Sequence, residues 1–395
     1  MASNGIRDRV AIVGMGCTTF GEHWDRSADD LLVDATQECF GSTEGIGKDD
    51  VDAYWLGTMG SGQSGLTLSR PLSIDYKPVT RVENYCATGS EAFRNACYAV
   101  ASGAYDRVMA VGVEKLKDSG FSGLVLDNPS SDGTVPDLTA PAVFSLLAPA
   151  YANKYGIDEA TMKEAMTHIA YKNHANGAKN PRAQFQKVVS KETIAGSPIV
   201  AGQLGIFDCS GVSDGSACAL IVRAEDAHDY TDRPLYVKAL SFVAGPADGP
   251  IDPAYDYTTF SEVVRCAEDA YEQAAVTDPR KEISIAEVHD CFTPTELVLM
   301  EDMGFSERGK GYEDVLDGVF DLDGELPVNP DGGLKSFGHP IGASGLRMLY
   351  ECWLQFRGEA GERQVEQPKL GLTHNLGGRP GACVSFISIV GSEDV

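Results

Sequence analysis

The chain has 395 residues and carries 58 acidic against 32 basic residues, which gives a formal net charge of −26. Its length predicts two or three structural units, and its 43% content of hydrophobic residues excludes a disordered or fibrous chain. The acidic surplus disfavours nucleic acid and anionic membranes as partners. No apolar run reaches the roughly 18 residues that a membrane-spanning helix needs. With no signal-like leader and no CxxC pair among ten cysteines, we expect a cytoplasmic protein without a metal site.

Apolar runs and amphipathic stretches alternate along the N-terminal part of the chain. Helices are predicted from about Ser27 to Cys39 and from the turn after Cys86 to Ser102, and strands over Val10–Gly16, Val51–Gly57, Val79–Asn84 and Arg107–Val113. Such alternation is typical of an α/β fold with a mostly parallel or mixed sheet.

The alternation breaks from about Lys115 to Lys191, where Pro, Ser, Asn and Gly surround one helical stretch at residues 158–173. A strand follows at Ser216–Arg223, and a second α/β half begins near Leu235. Strand, Gly-rich turn, helix and strand follow one another there as in the first half, which suggests a repeat. We therefore expect an N-terminal half (residues 1–114 and 192–232), an inserted domain (115–191) and a C-terminal half (233–395).

The first candidate for chemistry is Cys86, in the turn Asn84-Tyr-Cys-Ala-Thr-Gly-Ser90 between a predicted strand and a predicted helix. A thiol at a helix N-terminus is close to the positive end of the helix dipole, which favours the nucleophilic thiolate. The alternative is a small buried cysteine without a chemical role.

Four more candidates lie at glycine-rich turns or at the ends of predicted strands. His339 precedes a predicted helix, and a histidine beside a thiol can accept its proton. His289 and Cys291 lie at the end of a strand predicted over Ile283–His289. His374 follows a strand predicted over Lys369–Thr373 and opens the segment His374-Asn-Leu-Gly-Gly. Glycines after His374 can expose backbone N–H groups to an oxyanion. Each pattern alone is also compatible with an ordinary polar turn.

A basic stretch inside the predicted insertion stands out against the acidic whole. A phosphate-rich ligand explains it, and a solvated helix face explains it equally well. Against a single acid, Glu164, this stretch contains Lys163, Lys172, Lys179, Arg182, Lys187 and Lys191.

Four of these segments, in this order, resemble the thiolase superfamily, and more narrowly its sterol-carrier-protein-x and archaeal type. They are Asn84-Tyr-Cys86, His289-Asp-Cys-Phe292, Gly338-His-Pro340 and His374-Asn-Leu-Gly377. The resemblance implies a thiolase fold, with two similar α/β halves in five layers (αβαβα) and an inserted loop domain. That loop domain would cover the phosphates of coenzyme A, with Lys172, Lys179, Arg182 and Lys187 as the contacts.

The resemblance also implies a mechanism of acyl transfer through a cysteine thioester. Cys86 attacks a 3-ketoacyl-CoA and His339 receives the thiol proton. Cys291 acts as the acid/base, because Asn375 stands where many thiolases have a cysteine. His289 and His339 hold the enolate oxygen, with His374 assisting.

Two backbone N–H groups, those of Cys86 and Gly377, are expected to hold the tetrahedral oxyanion. Coenzyme A is a co-substrate, and no permanently bound cofactor is implied. The family resemblance further implies a homodimer or higher oligomer, and a separate small subunit with a zinc ribbon and an OB-fold.

Arg379 lies in Gly377-Gly-Arg-Pro-Gly381, beside the expected oxyanion loop. An arginine there can pair with a substrate carboxylate, such as that of benzoylsuccinyl-CoA. The alternative is a surface arginine, or an arginine paired with an Asp or Glu of the protein.

Two other functions compete with a thiolase reaction. One is a thiolase-fold aldolase acting on a hydroxyacyl-CoA side chain, which needs no thiol nucleophile. The other is a non-catalytic scaffold subunit. The condensing enzymes of fatty-acid synthesis share the fold but normally present two histidines to the thiol, and the segment His289-Asp-Cys291 favours a thiolase.

Overall fold

The computed structural model describes residues 5–118 and 139–395. Its strands are β1 Val10–Cys17, β2 Ala53–Gly57, β3 Val79–Val82, β4 Arg107–Glu114, β5 Ile199–Ala201, β6 Leu204–Gly205, β7 Gly215–Arg223, β8 Leu235–Ala244, β9 Ile285–Glu287, β10 Leu370–Arg379 and β11 Ala382–Gly391. Its helices are α1 Ala28–Gly41, α2 Leu66–Leu72, α3 Thr88–Ala101, α4 Ala140–Phe144, α5 Leu147–Tyr155, α6 Glu159–Gly177, α7 Lys191–Ala195, α8 Ser261–Ala274, α9 Pro279–Glu282, α10 Thr293–Asp302, α11 Gly311–Leu316, α12 Gly333–Ser336 and α13 Ser344–Arg357. Among these described helices, none is both long and apolar enough to cross a membrane.

Two groups of strands share one hydrogen-bonded sheet. The order across the described strands is β3-β2-β4-β7-β1 in the first group and β8-β11-β10-β9 in the second. The groups meet through two residue pairs between β1 and β8, Ala11 with Tyr236 and Ile12 with Leu235. Pairs β2–β3, β2–β4 and β9–β10 are parallel and the others antiparallel, so the sheet is mixed.

The helices form three layers around these strands. Helix α1 packs on β1 and β7 on one outer face, and α8 packs on β8 and β11 on the other. Between the two strand groups lie α3 and α13, which contact each other as well as strands of both groups. The order helix–strand–helix–strand–helix confirms the expected α/β architecture.

Glycines bring the start of α3 close to the start of α13. A Cβ on Gly89 would lie 2.6 Å from the carbonyl oxygen of Gly342, a separation that real side chains do not adopt. Because both helices begin at this contact, the turns that precede them lie side by side. Those turns carry Cys86 and His339.

The segment between β4 and β7 contains α4 to α7 and the β5–β6 hairpin. Helix α6 packs against α10, α11 and α12. Part of the predicted insertion, residues 119–138, lies outside the described residues. The domain boundaries stay a prediction.

Two predicted strands near the candidate site have different ends in the structure. The predicted strand at 283–289 is shortened to Ile285–Glu287, because the N–H of Val288 leaves the strand pairing and donates to Oδ1 of Asn329 at 2.8 Å. His374 was expected after a strand but lies within β10, opposite Ile387, because β10 pairs with β11 along its whole length.

Candidate active site

Three of the predicted residues converge at one point. The sulfur of Cys86 and one ring nitrogen each of His289 and His339 all lie within 4.8 Å of one another. These residues line a cavity of about 280 Å³ together with Cys291. The two imidazole rings meet edge to face, with centroids 5.5 Å apart. Residues from both halves of the chain therefore face one reacting centre.

The turn that carries Cys86 is held by Thr88, the first residue of α3. Its hydroxyl accepts the N–H of Asn84 at 2.9 Å and donates to the carbonyl of Tyr85 at 2.6 Å. Tyr85 has a φ of +49°, which a bulky residue rarely adopts. These contacts direct the thiol of Cys86 into the cavity.

His339 lies in the turn before α13, and its ring is oriented by Ser344. The Ser344 hydroxyl donates to the carbonyl of Pro340 at 3.1 Å and lies 2.7 Å from Nδ1 of His339. This pattern puts the ring proton on Nδ1. Nε2 has no partner among the described residues, so its lone pair is available to a thiol proton. Burial, with Arg347 nearby, lowers the pKa of His339 to about 3, so the ring is neutral at pH 7.

The sequence predicts an ionised thiol at Cys86, whereas the structure favours a protonated one. Burial, together with the carboxylates of Glu83 and Glu114, raises the pKa of the Cys86 thiol to about 12. Helix α3 begins two residues later, at Thr88. The resting pair is therefore a neutral thiol beside a neutral imidazole, so any reaction that uses this sulfur as a nucleophile has to remove its proton.

Cys291 is the second sulfur at this centre and is 6% exposed. Its sulfur lies 3.8 Å from the hydroxyl of Thr295. Burial, together with the nearby Cys86 thiol, raises its pKa well above the ordinary value. A thiol with a raised pKa holds a proton that it can deliver to carbon.

The remaining wall of the cavity is largely apolar and comes partly from the described portion of the insertion. The rings of Phe144 and Phe292 lie 4.8 Å apart, centroid to centroid. This surface suits an acyl chain. Its apolar lining residues are Met59, Leu116, Ala140, Pro141, Phe144, Val212, Phe292 and Ile341.

Comparisons with known proteins match both halves of the chain. The family model "Thiolase, N-terminal domain" matches residues 10–225, and "Thiolase C-terminal domain-like" matches residues 250–389. The chain belongs to the thiolase family. It is 37% identical over 398 residues to the acetyl-CoA acetyltransferase of Methanothermobacter thermautotrophicus, which covers 97% of this chain and 99% of the relative.

Other relatives confirm the branch of the family. Human sterol carrier protein 2 is 32% identical over 399 residues, covering 93% of this thiolase and 70% of that protein. The enzyme is an acyltransferase of the thiolase type.

Two solved structures share the fold. The Ltp2-ChsH2(DUF35) aldolase has a TM-score of 0.82 at 23% identity, and covers 99% of both chains. Human mitochondrial 3-ketoacyl-CoA thiolase has a TM-score of 0.69 at 17% identity, covering 98% of this chain and 99% of that one.

In this thiolase neither His374 nor Gly377 is among the residues that line the cavity of the two thiols, although Gly377 lines a neighbouring cavity. His374 is fully buried, and neither ring nitrogen has a hydrogen-bond partner within residues 5–118 and 139–395. Gly377 packs against the cysteine turn, since a Cβ there would lie 2.5 Å from the carbonyl oxygen of Asn84. The structure thus brings Gly377 next to the nucleophile, but it does not bring His374 to the substrate surface.

Arg379 lines a second cavity of about 340 Å³ rather than the cavity of the two thiols. The two cavities share Tyr85 and Gly378 as lining residues. A substrate carboxylate that binds Arg379 would therefore have to extend from the thiol cavity past Tyr85 and Gly378 into the second cavity.

Two of the four predicted coenzyme A contacts are engaged elsewhere. Lys172 is buried, with Nζ 3.0 Å from Oε1 of Glu296 and 2.7 Å from the carbonyl of Val328. Arg182 pairs with Glu38 at 2.8 Å. Lys172 is not available to a phosphate, and for it the prediction was wrong because helix α6 turns this side chain into the protein. The Arg182 side chain is 32% exposed, so its contact with a phosphate stays a prediction.

The other two, Lys179 and Lys187, are exposed. Lys187 lines an open groove of about 450 Å³ with His174, Phe185 and Phe207. The Phe185 ring lies 3.4 Å from the Cβ position of Gly211, which lines the active-site cavity. The groove and the cavity are therefore neighbours.

A thiolate and two imidazoles are also ligands that Zn²⁺ prefers. Cys86, His289 and His339 are the described residues close enough to share an ion. A metal ion there would occupy the sulfur and the imidazole nitrogens that are predicted to carry out acyl transfer.

Sequence reasoning missed the hydroxyls that orient the site. Ser90 and Ser344 each follow a catalytic turn by four or five residues, inside the first turn of a helix. It also missed Cys209, a third sulfur on the cavity wall. Ser90 and Ser344 could have been identified from the sequence, because each lies about one helical turn beyond a candidate nucleophile or base.

Proposed function

We propose that this thiolase cleaves or forms 3-ketoacyl-CoA thioesters, with Cys86 as the nucleophile and Cys291 as the proton donor to carbon. The observation that carries the proposal is that both thiols and two imidazoles line a single cavity. Two sulfurs are required because one forms the thioester while the other moves a proton.

In the cleavage direction, the Cys86 sulfur attacks the C3 ketone carbon while its proton passes to Nε2 of His339. The tetrahedral oxyanion is held by the backbone N–H groups of Cys86 and Gly377. Its collapse breaks the C2–C3 bond and leaves the acyl group on Cys86. The electron pair forms the enolate of an acyl-CoA, whose oxygen is held by His289 and His339.

Cys291 then donates its proton to C2 of the enolate and becomes a thiolate. That thiolate takes the proton of incoming coenzyme A, whose sulfur attacks the Cys86 thioester. The released Cys86 sulfur recovers its proton from His339. Each catalytic group returns to its starting protonation state.

For coenzyme A we propose a path from the groove beside Lys187 to the cavity. Support comes from the exposed cations Lys179 and Lys187 and from the contact of Phe185 with Gly211. The phosphates would lie at the exposed cations, and the thiol end would reach Cys86 past Gly211.

The test separates the two sulfurs by partial reactions. Cys86→Ala is expected to abolish covalent labelling by an activated acyl thioester, because the nucleophile is gone. Cys291→Ala is expected to retain acylation but to lose overall turnover by at least about 10²-fold, since the carbon acid is missing. Acylation is followed by intact-protein mass spectrometry.

Cys352→Ala serves as the matched control, because Cys352 is a buried cysteine of α13 outside the cavity. Equal loss of acylation in Cys86→Ala and Cys291→Ala contradicts the division of labour. Retained acyl-CoA chemistry without any Cys86 adduct would instead support a thiolase-fold aldolase. No turnover with any thioester would support a scaffold.

We further propose that Arg379 binds a second carboxylate of the substrate, of the kind present in benzoylsuccinyl-CoA. The support is its position in the cavity that adjoins the thiols. In Arg379→Ala, kcat/KM for a carboxylated 3-ketoacyl-CoA is expected to fall about 10–150-fold more than kcat/KM for acetoacetyl-CoA. This factor corresponds to the loss of about 1.5–3 kcal/mol of binding to the carboxylate. Arg265→Ala, at an exposed site, is the control. An equal effect on both substrates would refute the role.

For assembly, we propose a cytoplasmic homodimer or higher oligomer that takes a separate small zinc-ribbon and OB-fold subunit. Among the described strands, the half-buried edge strand β3 pairs with β2 alone, so its other edge can take a second copy. A structural relative whose name includes a DUF35 protein supports a small partner. Light scattering measures the molar mass of the protein, alone and mixed with the candidate small subunit encoded by a neighbouring gene. A monomeric mass in both samples contradicts the proposal.

A further inference from the structure

The two imidazoles at the reacting centre have different hydrogen-bond partners. Nδ1 of His339 faces the Ser344 hydroxyl, whereas Nδ1 of His289 lies 3.3 Å from the amide nitrogen Nδ2 of Asn375. An amide nitrogen only donates, so Nδ1 of His289 is the acceptor. Its ring proton must then be on Nε2.

Ser90 determines which way the Asn375 amide points. The Ser90 hydroxyl lies 2.6 Å from Oδ1 of Asn375. This separation is normal for O–H···O but shorter than N–H···O bonds, so oxygen rather than nitrogen faces Ser90. Nδ2 is thereby turned toward His289. Ser90, Asn375 and His289 are each at most 1% exposed, so water does not compete for these bonds.

We propose that Asn375, oriented by Ser90, is a positioning residue that holds His289 in the tautomer with its proton on Nε2. His289 then presents a permanent N–H donor to the cavity, while His339 presents a lone pair. The inference rests on the proposed thiolase chemistry and assigns different tasks to its two histidines.

The different tautomers suit the order of events. His339 needs a free lone pair at the start, when the Cys86 thiol loses its proton. The enolate oxygen needs a donor that is already in place when the C2–C3 bond breaks, because charge develops there during that step. A neutral His289 with Nε2–H supplies this donor without first being protonated.

The position of Asn375 allows a nearly isosteric test. In Asn375→Asp, the carboxylate still accepts from Ser90, but toward His289 it can only accept. The proton of His289 is then drawn to Nδ1, and a lone pair replaces the donor at Nε2. Loss of one oxyanion donor lowers rates by about 10²–10³-fold. The rates of cleavage and of condensation are expected to fall by that factor.

Acylation of Cys86 by an activated thioester is expected to change little, because no enolate forms in that step. A merely structural role of Asn375 would slow both reactions together. ¹⁵N spectra of histidine-labelled protein provide the direct readout: Nδ1 of His289, assigned by difference with His289→Gln, is expected to be unprotonated in the wild type and protonated in Asn375→Asp.

Two serine variants complete the design. Ser90→Ala is expected to lower condensation less than Asn375→Asp does, because the amide loses its orientation but keeps its donor. Ser388→Ala is the matched control, since Ser388 is a buried serine that bonds Thr373 at 2.6 Å on the same strand pair. It is expected to leave condensation and the His289 spectrum unchanged.

The outcomes distinguish this inference from the proposed function. If the wild type is never acylated at Cys86, the proposed function fails. If the wild type acylates and condenses but Asn375→Asp slows both steps equally, or His289 already carries its proton on Nδ1, the positioning role is overturned and the proposed function survives.

Discussion

Cys86 shows how strongly surroundings act on a single residue. The position of the thiol near the start of α3 predicts an easily ionised sulfur, yet burial and two carboxylates raise its pKa to about 12. The thiol is thus protonated at neutral pH and becomes nucleophilic only as its proton leaves. Such a nucleophile is protected against adventitious oxidation and alkylation while the site is empty.

The raised pKa predicts the pH dependence of alkylation at Cys86. An ordinary thiol reaches its maximum rate above its pKa of roughly 8.5. Here the thiolate fraction increases about tenfold per pH unit throughout the stable alkaline range, so the iodoacetamide rate is expected to keep rising beyond pH 9. Peptide mapping after timed quenching measures the rate at Cys86. A plateau between pH 7 and pH 9 would contradict a high pKa.

At the scale of elements, one buried arginine joins the parts that carry the two histidines. Arg347 of α13 is fully buried and bonds Oε2 of Glu287, the last residue of β9, at 2.7 Å. It also bonds Asp331, in the segment before α12. His289 follows β9 by two residues and His339 precedes α13. The ion cluster therefore sets the distance between the two turns.

Replacing this arginine tests its structural role. Arg347→Met leaves Glu287 and Asp331 buried without their cation, which typically costs about 3–5 kcal/mol of unfolding free energy. Urea denaturation measures the loss. Arg265→Met is the matched control, because Arg265 and Glu268 form an exposed pair that contributes at most about 1 kcal/mol. A loss below about 1 kcal/mol for Arg347→Met would show that the cluster does not hold the two elements together.

At the scale of the whole molecule, the net charge of −26 opposes compactness. Repulsion between distant surface carboxylates is screened by salt, and the Debye length falls from about 30 Å at 0.01 M to about 8 Å at 0.15 M. The two halves share one sheet, so we expect them to respond as a single unit.

Screening therefore predicts that the midpoint temperature of thermal unfolding rises by a few degrees when NaCl is increased from 0.01 to 0.15 M. The same series in KCl at equal ionic strength is the control. Scanning calorimetry measures the midpoint. An unchanged midpoint over this range would show that favourable ion pairs offset the repulsion, as the pairs of Lys115 with Asp214 and Lys163 with Asp208 do locally.

The sequence alone was sufficient for the fold class, for the main helices and strands, and for selecting four residues that line one cavity: Cys86, His289, Cys291 and His339. These predictions rest on local patterns, because apolar periodicity, turn residues and the order of motifs are properties of neighbouring residues. The two tight turns before α3 and α13 were predictable for the same reason.

The tertiary structure decided what each group does. Ser90 and Asn375 are 285 positions apart yet in contact, and no local pattern predicts the tautomer that they impose on His289. Lys172 looked like a surface cation until packing placed it beside Glu296, and His374 looked like a turn residue until β11 paired with β10. Burial and proton positions depend on residues distant in the chain, so only the folded molecule determines them.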